Sequence, residues 1–249
     1  MMLMPMVSPY FPMPAGVILH GAWVKGHNST AAGSPRGFTI TDFPAVASGN
    51  DRCIVTIVCG DHNSGARTLG LARFNGVDGV VYGTQYAARS TTGYLAAAHW
   101  LDGQIPTSAG SYGVQYYSSN ILDVGAIVLY LSGIDQTTPL ENFVSEIYTS
   151  LSVDSVCPVS VLDAAGKTLL STIFLFNGPD FTPGNIPPSN LTYVGDADMP
   201  RTSQIGTATY VAGGYTLSVA DDNEQYDWTL DCGSAPSIAR TAAICVNPA

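Results

Sequence analysis

Positive charge is what this chain has least of: nine Lys and Arg stand against nineteen Asp and Glu in 249 residues, a formal net charge of −10. The nine cations are scattered singly, with no basic run anywhere. Phosphate contacts and anionic lipid headgroups both call for clustered cations, so nucleic-acid binding, packaging and membrane-surface attraction fall outside the expected functions. No apolar run reaches the ~18 residues a membrane span requires. The opening Met1-Met-Leu-Met-Pro-Met-Val-Ser-Pro-Tyr-Phe-Pro-Met-Pro has no leading cation and is broken by four prolines. It does not read as a signal peptide, and the expected place of synthesis is a cytoplasm. Five cysteines (Cys53, Cys59, Cys157, Cys232, Cys245) form an odd set without CxxC spacing, which points to neither a disulfide framework nor a zinc knuckle. Cys53, Cys59 and Cys245 sit in apolar runs, where a thiol behaves as a small hydrophobe.

Catalytic patterns are also missing. There is no Gly-x-Ser-x-Gly elbow and no Gly-rich phosphate loop. Of His20, His27, His62 and His99, only His62 has an adjacent carboxylate, Asp61, and neighbouring residues of a strand point to opposite faces. Paired carboxylates for glycoside cleavage are not singled out among nineteen acids. The oxygen-rich stretches Asp196-Ala-Asp198 and Asp221-Asp222-Asn223-Glu224 with Asp227 lack EF-hand spacing. Calcium at Asp221, Asp222 and Asp227 is the one metal reading available; the expectation is no cofactor and no enzyme.

What is present is an all-β balance: 46% hydrophobic and 11% charged residues, with 26 Gly and 16 Pro to supply turns. So few charges suggest that part of the surface is covered by other subunits. The stretch Asp123 to Leu140 organises the rest. Val124–Leu131 is nearly uninterrupted in apolar character, as a strand buried on both faces would be. Gly133, Asp135, the threonines and Pro139 then stop it in a shaped turn. Before it come strands at Val17–Lys25, Phe38–Phe43, Arg52–Cys59, Thr68–Phe74, Val80–Arg89, Tyr94–Leu101 and Tyr112–Tyr117, read as a meander, with Asn75-Gly76 as a hairpin turn. After it, Phe143–Val153 reads as a strand, although Leu140, Val144, Ile147, Tyr148 and Leu151 also fit a helical stripe. Val156–Leu162 and Thr168–Phe176 read as a hairpin, Asn177–Ser189 as the longest irregular loop, and strands follow near 191–194, 204–211, 215–220, 226–230 and 239–246. No internal repeat of fixed period is visible. The reading is residues 1–16 as an extended Met/Pro-rich arm and 17–249 as a single large antiparallel β-sandwich domain.

The run Ala47-Ser-Gly-Asn-Asp-Arg-Cys-Ile-Val-Thr-Ile-Val, the aromatic strand Tyr94–Leu101 and the exit Ser132-Gly-Ile-Asp-Gln-Thr-Thr-Pro139 together resemble jelly-roll-type β-sandwich modules of bacteriophage virion and some bacterial surface proteins. The resemblance spans roughly residues 37 to 175. Cys53 and Cys59 depart from it, standing where aliphatic residues are expected. It implies a structural or attachment role, brings no catalytic residues, and marks Gly133, Asp135 and Pro139 as its structural motif. From this follows the expectation of a non-enzymatic virion protein, a capsid decoration or cement subunit, homo-oligomeric, bound to the major capsid protein or other virion subunits. The arm, through Met4, Met6, Tyr10, Phe11 and Met13, would lie on a partner. The alternative is a tail, fibre or spike module binding cell-surface glycans, with Trp100, Tyr112, Tyr116 and Tyr117 as a stacking face; core or subunit contact is the favoured role for those rings.

Overall fold

The computed structural model describes residues 16–27, 34–62, 68–86, 93–118, 121–149, 151–176, 183–199, 209–232 and 238–249. The arm residues Met4, Met6, Tyr10, Phe11 and Met13 lie outside them. The described residues form seventeen strands and one short 3-10 turn, Asp102–Gln104. The first half of the chain supplies β1 (Ile18–His27), β2 (Arg36–Phe43), β3 (Cys53–His62), β4 (Leu71–Phe74), β5 (Val77–Asp78), β6 (Val80–Tyr86), β7 (Gly93–Leu101), β8 (Gly110–Tyr117) and β9 (Ile121–Ser132). The second half supplies β10 (Leu140–Thr149), β11 (Val156–Val161), β12 (Thr168–Phe176), β13 (Pro183–Ile186), β14 (Thr192–Met199), β15 (Thr209–Thr216), β16 (Glu224–Cys232) and β17 (Ile238–Val246). The ambiguous stretch after Pro139 is therefore a strand, β10.

All-β antiparallel architecture is what the alternating and apolar runs dictate, and it is what forms. The arrangement is two sandwiches. An N-inner sheet, ordered β1-β9-β3-β7-β6, is backed by an N-outer sheet, β2-β8-β4-β5. A C-inner sheet, β10-β17-β12-β15-β14, is backed by a C-outer sheet, β11-β16-β13. The two inner sheets pack on each other, so the protein is a stack of four β-layers with three apolar cores between them. β9 shows why its sequence has no polar alternation. Val124, Ala126, Val128 and Tyr130 enter the N-terminal core, while Ile127, Leu129 and Leu131 enter the shared core, all fully buried. β17 behaves likewise: Ala239, Ala243 and Cys245 fill the C-terminal core, and Ile238, Ala242, Ile244 and Val246 the shared one. The outer strands alternate. In β8, Val114 and Tyr116 point in and Ser111 and Gln115 point out.

The two sandwiches have the same topology. Replacing β1, β9, β3, β7, β6 by β10, β17, β12, β15, β14, and β2, β8, β4 by β11, β16, β13, turns one sheet order into the other; only β5 has no counterpart. Details repeat too. The pairing of β1 with β9 shifts register after its second residue pair, between Leu19 and Gly21, and that of β10 with β17 does so after its second, between Glu141 and Val144. A second shift interrupts β6 against β7 next to Gly83, and β14 against β15 at Gly195. Tyr94-Leu95-Ala96 of β7 matches Tyr210-Val211-Ala212 of β15, with Tyr and Ala turned to the outer core and the middle residue to the shared core. Contacts across the shared core are reciprocal: β3 lies on β12, β1 on β14 and β10 on β6, as in a two-fold interface.

Several sequence expectations change. The strands before β9 are not a meander, because sequence neighbours pair only as β4–β5 and β6–β7 there; most connections cross between sheets. β11 and β12 are correctly placed as strands but do not form a hairpin: β11 pairs with β16 in the C-outer sheet and β12 with β15 and β17 in the C-inner sheet. Short apolar strands joined by a tight turn look like a hairpin in sequence, yet each needs a different sheet to bury its inner face. The stretch 177–189 contains β13, paired with β16. The 215–220 stretch is the end of β15 followed by a bend. Asn75-Gly76 does turn β4 into β5, with φ of 49° and 79° at the two central residues.

Ile127 joins the halves most directly, meeting the backbone of Gly213 on the opposite inner sheet. Ile127→Ala is expected to lower unfolding stability by about 2–5 kcal/mol with an unchanged urea m-value, read from equilibrium denaturation. A wild-type midpoint would mean that the shared core does not hold the layers together.

Candidate functional site

The densest polar cluster among the described residues lies at the end of the stack where β3 begins and β9 leaves. Arg52, immediately before β3, is 1% exposed. Its Nε donates to the Asp102 carboxylate; one Nη donates to the carbonyls of Val46 (3.0 Å) and Pro106 (2.9 Å), and the other to those of Asp102 (2.9 Å) and Ile105 (3.1 Å). Tyr130 Oη stands 3.4 Å from the first Nη. A guanidinium has five N–H groups, and all five are used. The second Asp102 oxygen accepts from the Gly49 backbone N–H at 2.6 Å. No donor is left for an anionic ligand, so this is a clamp: it fixes the 44–52 segment and the 102–106 turn to each other and to β9.

The exit motif adjoins the clamp. Gly133, at φ 72°, and Ile134 donate backbone N–H groups to the carbonyls of Asn50 and Asp51. Asp135 accepts from the Thr137 N–H (2.7 Å) and the Thr138 hydroxyl (2.6 Å), and these bonds, the Thr138 one foremost, hold its carboxyl below the usual range. Gln136 bridges to the clamp, accepting from the Asp102 N–H and donating to the Arg52 and Ile134 carbonyls. Residues 133–139 are also the connection between the two sandwiches, and the chain's last residues strap them down. Asn247 N–H donates to Pro139 O, Ala249 N–H to Gly133 O, and Asp135 N–H to Asn247 O. Gly133, Asp135 and Pro139 thus serve as the joint where the exits of both sandwiches meet. The C-terminal sandwich carries a smaller version of the clamp: Lys167, immediately before β12, pairs with Glu141 of β10.

The other candidates do not assemble into a site. Asp221 and Asp222 are exposed in the bend before β16, while Asp227 lies on the outer face of β16, where Gln225 donates to it at 2.7 Å. Among the described residues no group of three or more His, Cys, Asp or Glu is placed to hold a metal ion. The side chains of Asp61 and His62 lie outside the described residues, as do those of Asp196 and Asp198. Trp100 and Tyr116 are fully buried in the N-terminal core with Tyr112 packed against it, and Tyr117 points the other way, under the Arg73 guanidinium at 5.0 Å. The four rings do not share an exposed face. Cys53, Cys59, Cys157 and Cys245 are buried, and burial pushes the Cys59 and Cys245 thiols up to about 11, which makes those two inert packing groups. Among the described residues no helix is long and apolar enough to cross a membrane.

Sequence reasoning missed Arg52 as an organiser. Arg52 is the only cation between residues 37 and 66 and directly precedes an apolar strand, but Asp102, fifty residues later, gives no local signal. Compared with protein-family models, with curated proteins and with solved structures, the chain matches none of them.

Replacing Arg52 strands five acceptors in a buried space. Arg52→Ala is expected to cost about 3–5 kcal/mol in urea denaturation, and Arg52→Lys to recover only part of it, because an ammonium supplies three donors without the planar fork. Equal stability of Arg52→Lys and wild type would refute the saturated clamp. Two histidines give a pH dependence. Burial keeps the His99 imidazole below its usual pKa, and burial together with the nearby Arg52 charge does the same for His20, whose Nε2 meets Ser132 Oγ at 2.8 Å. Both rings are harder to protonate folded than unfolded, so their stabilising effect is complete above the unfolded value of 6.5 and declines as pH falls through it. Thermal midpoints measured from about pH 7.5 to about 5.5 should fall, and His99→Leu should flatten the slope.

Proposed function

We propose that this chain is a non-enzymatic structural subunit of a virion, a decoration or cement protein of the capsid, and that each sandwich is a jelly roll; in the N-terminal one the outermost strand, β5–β6, bends from the outer to the inner sheet. The observation that carries the reading is the filled four-layer stack: three apolar cores, each closed by its own side chains, with the polar clamp saturated from within. A protein built to bind and turn over a small molecule keeps a concave, partly polar space open. This one spends its interior on joining sheets, which suits a rigid plate that is loaded mechanically. The SGIDQTTP exit supports the same reading, since its residues fix the angle between sandwiches rather than face a ligand. Sheet edges and the 1–16 arm are the parts that would bury surface on the shell, and many copies would sum modest contacts into a stiff whole.

The test is to purify the particle that contains this chain and count copies by calibrated mass spectrometry. A count on the order of hundreds supports a shell position. A handful to a few dozen removes the cement role and moves the chain to a tail or spike, where glycan binding would be assayed next.

A further inference from the structure

The shared core is built from two sheets of one topology, yet one row of it differs sharply between them. On the C-inner sheet, Ile147, Arg240, Phe174 and Val211 stand side by side across β10, β17, β12 and β15. The equivalent row of the N-inner sheet, across β1, β9, β3 and β7, is Gly26, Gly125, Cys59 and Leu95. Leu95 and Val211 are the matched middle residues of β7 and β15, which fixes the correspondence of the two rows. Arg240 therefore stands where the other half has Gly125, and Phe174 where it has Cys59.

Both rows face the shared core. Cys59, Leu95, Phe174 and Val211 belong to it, and Arg240 lies between Ile238 and Ala242 on the same face of β17, both of which enter it. Arg240 is 2% exposed, and with Arg52 it makes the two buried Lys or Arg side chains among the described residues. Its guanidinium reaches across to the other sheet and donates to the Cys59 sulfur. Two glycines and a cysteine leave room on the N-inner side for the long side chain that the C-inner side supplies. Arginine in both rows would instead bring two guanidinium groups into one apolar core.

Apolar contacts are non-directional, so two apolar sheet faces can settle on each other at neighbouring angles with similar burial. A buried cation tolerates fewer arrangements: a slip that takes Cys59 away from Arg240 sets that part of the guanidinium against hydrocarbon. The position is also informative. Cys59 lies six residues along β3 from Cys53, and Arg240 six residues along β17 from Val246, so their contact sits about 20 Å from the joint at 133–139. We propose that Arg240 selects the angle between the two sandwiches: seated against Cys59, it pins the end of the shared core that the joint does not reach. Joint and pin together leave the inner sheets one way to lie on each other. This role belongs to the chain by itself and stands apart from the virion reading.

Backbone N–H residual dipolar couplings of the full-length chain, taken together with urea denaturation, are the test. In the wild type the couplings of both sandwiches should fit one alignment tensor. Arg240→Met keeps an apolar stem and removes the charge. It is expected to require separate tensors for the two sandwiches while its urea midpoint stays at or above wild type, because exchanging a buried charge for a packed apolar group is often neutral or stabilising. A common tensor with the wild-type relative orientation in Arg240→Met would overturn the proposal, whatever the midpoint does. Cys59→Ala, made in the wild-type and Arg240→Met backgrounds, gives a second reading: its shift in midpoint should shrink once Arg240 is gone. Equal shifts in the two backgrounds would show no coupling and would also overturn it. Should Arg240→Met fail to fold, Arg240→Lys, which keeps the charge but not the planar fork, takes its place in both measurements with the same outcomes deciding.

Discussion

Burial of the two inner sheets on both faces constrains nearly everything else in this chain. A strand with one solvent face can alternate; a central strand of an inner sheet has water on neither side, so every position needs an apolar or hydrogen-bonded side chain of limited size. That is why β9 and β17 read as unbroken apolar runs, why β3 carries Cys53 and Cys59 among Ile and Val, and why Ala96, Ala97 and Ala98 stand together in β7. Small residues are needed where two layers press on one strand. Gly213 makes the point most sharply, because an added Cβ there would sit 2.5 Å from Ile127 of the other sandwich.

Stacking two sandwiches by their inner sheets raises a second problem, which is to fix the angle between them. The answer is covalent at one end only. Residues 133–139 carry the chain from one sandwich to the other, and the exits of β9 and β17 bond to each other beside the Arg52 clamp. Arg52 holds the 44–52 and 102–106 segments, Gln136 ties the joint to that clamp, and Asp135 closes the turn. Burying a guanidinium is costly unless every N–H is met, and here carbonyls and a carboxylate meet all of them. The result is specificity of orientation at the place where the apolar cores, which are non-directional, cannot supply it. Lys167 with Glu141, more exposed, occupies the corresponding place in the other sandwich without the enclosing carbonyls.

Strand positions were legible because periodicity and turn residues act locally: Val124–Leu131, Asn75-Gly76 and the strand reading of the stretch after Pro139 all follow from neighbours a few residues apart. Pairing was not legible. Whether β11 turns back onto β12 or crosses to another sheet depends on which face each must bury, and that is decided by β16 and β17, some seventy residues on. The duplication escaped for a related reason. Buried positions ask for apolar volume rather than for identity, so Tyr112, Val114 and Tyr116 in one sandwich can answer to Tyr226, Trp228 and Leu230 in the other and leave no sequence period behind. Gly133, Asp135 and Pro139 announced a shaped turn, and the structure adds what the turn is for: it is the hinge point between halves.

The two sandwiches share a strand order, and where they differ most is in charge. The inner faces are apolar in both sandwiches, while one half balances its charges and the other carries an excess of ten carboxylates. Such an excess keeps a surface hydrated and discourages self-association, and it raises the free energy of any contact that would bury it. The two outer layers of the stack thus belong to halves of different charge. Four stacked sheets place the two outer layers about 30 Å apart, several Debye lengths at physiological salt, so each layer is screened from the charges on the other.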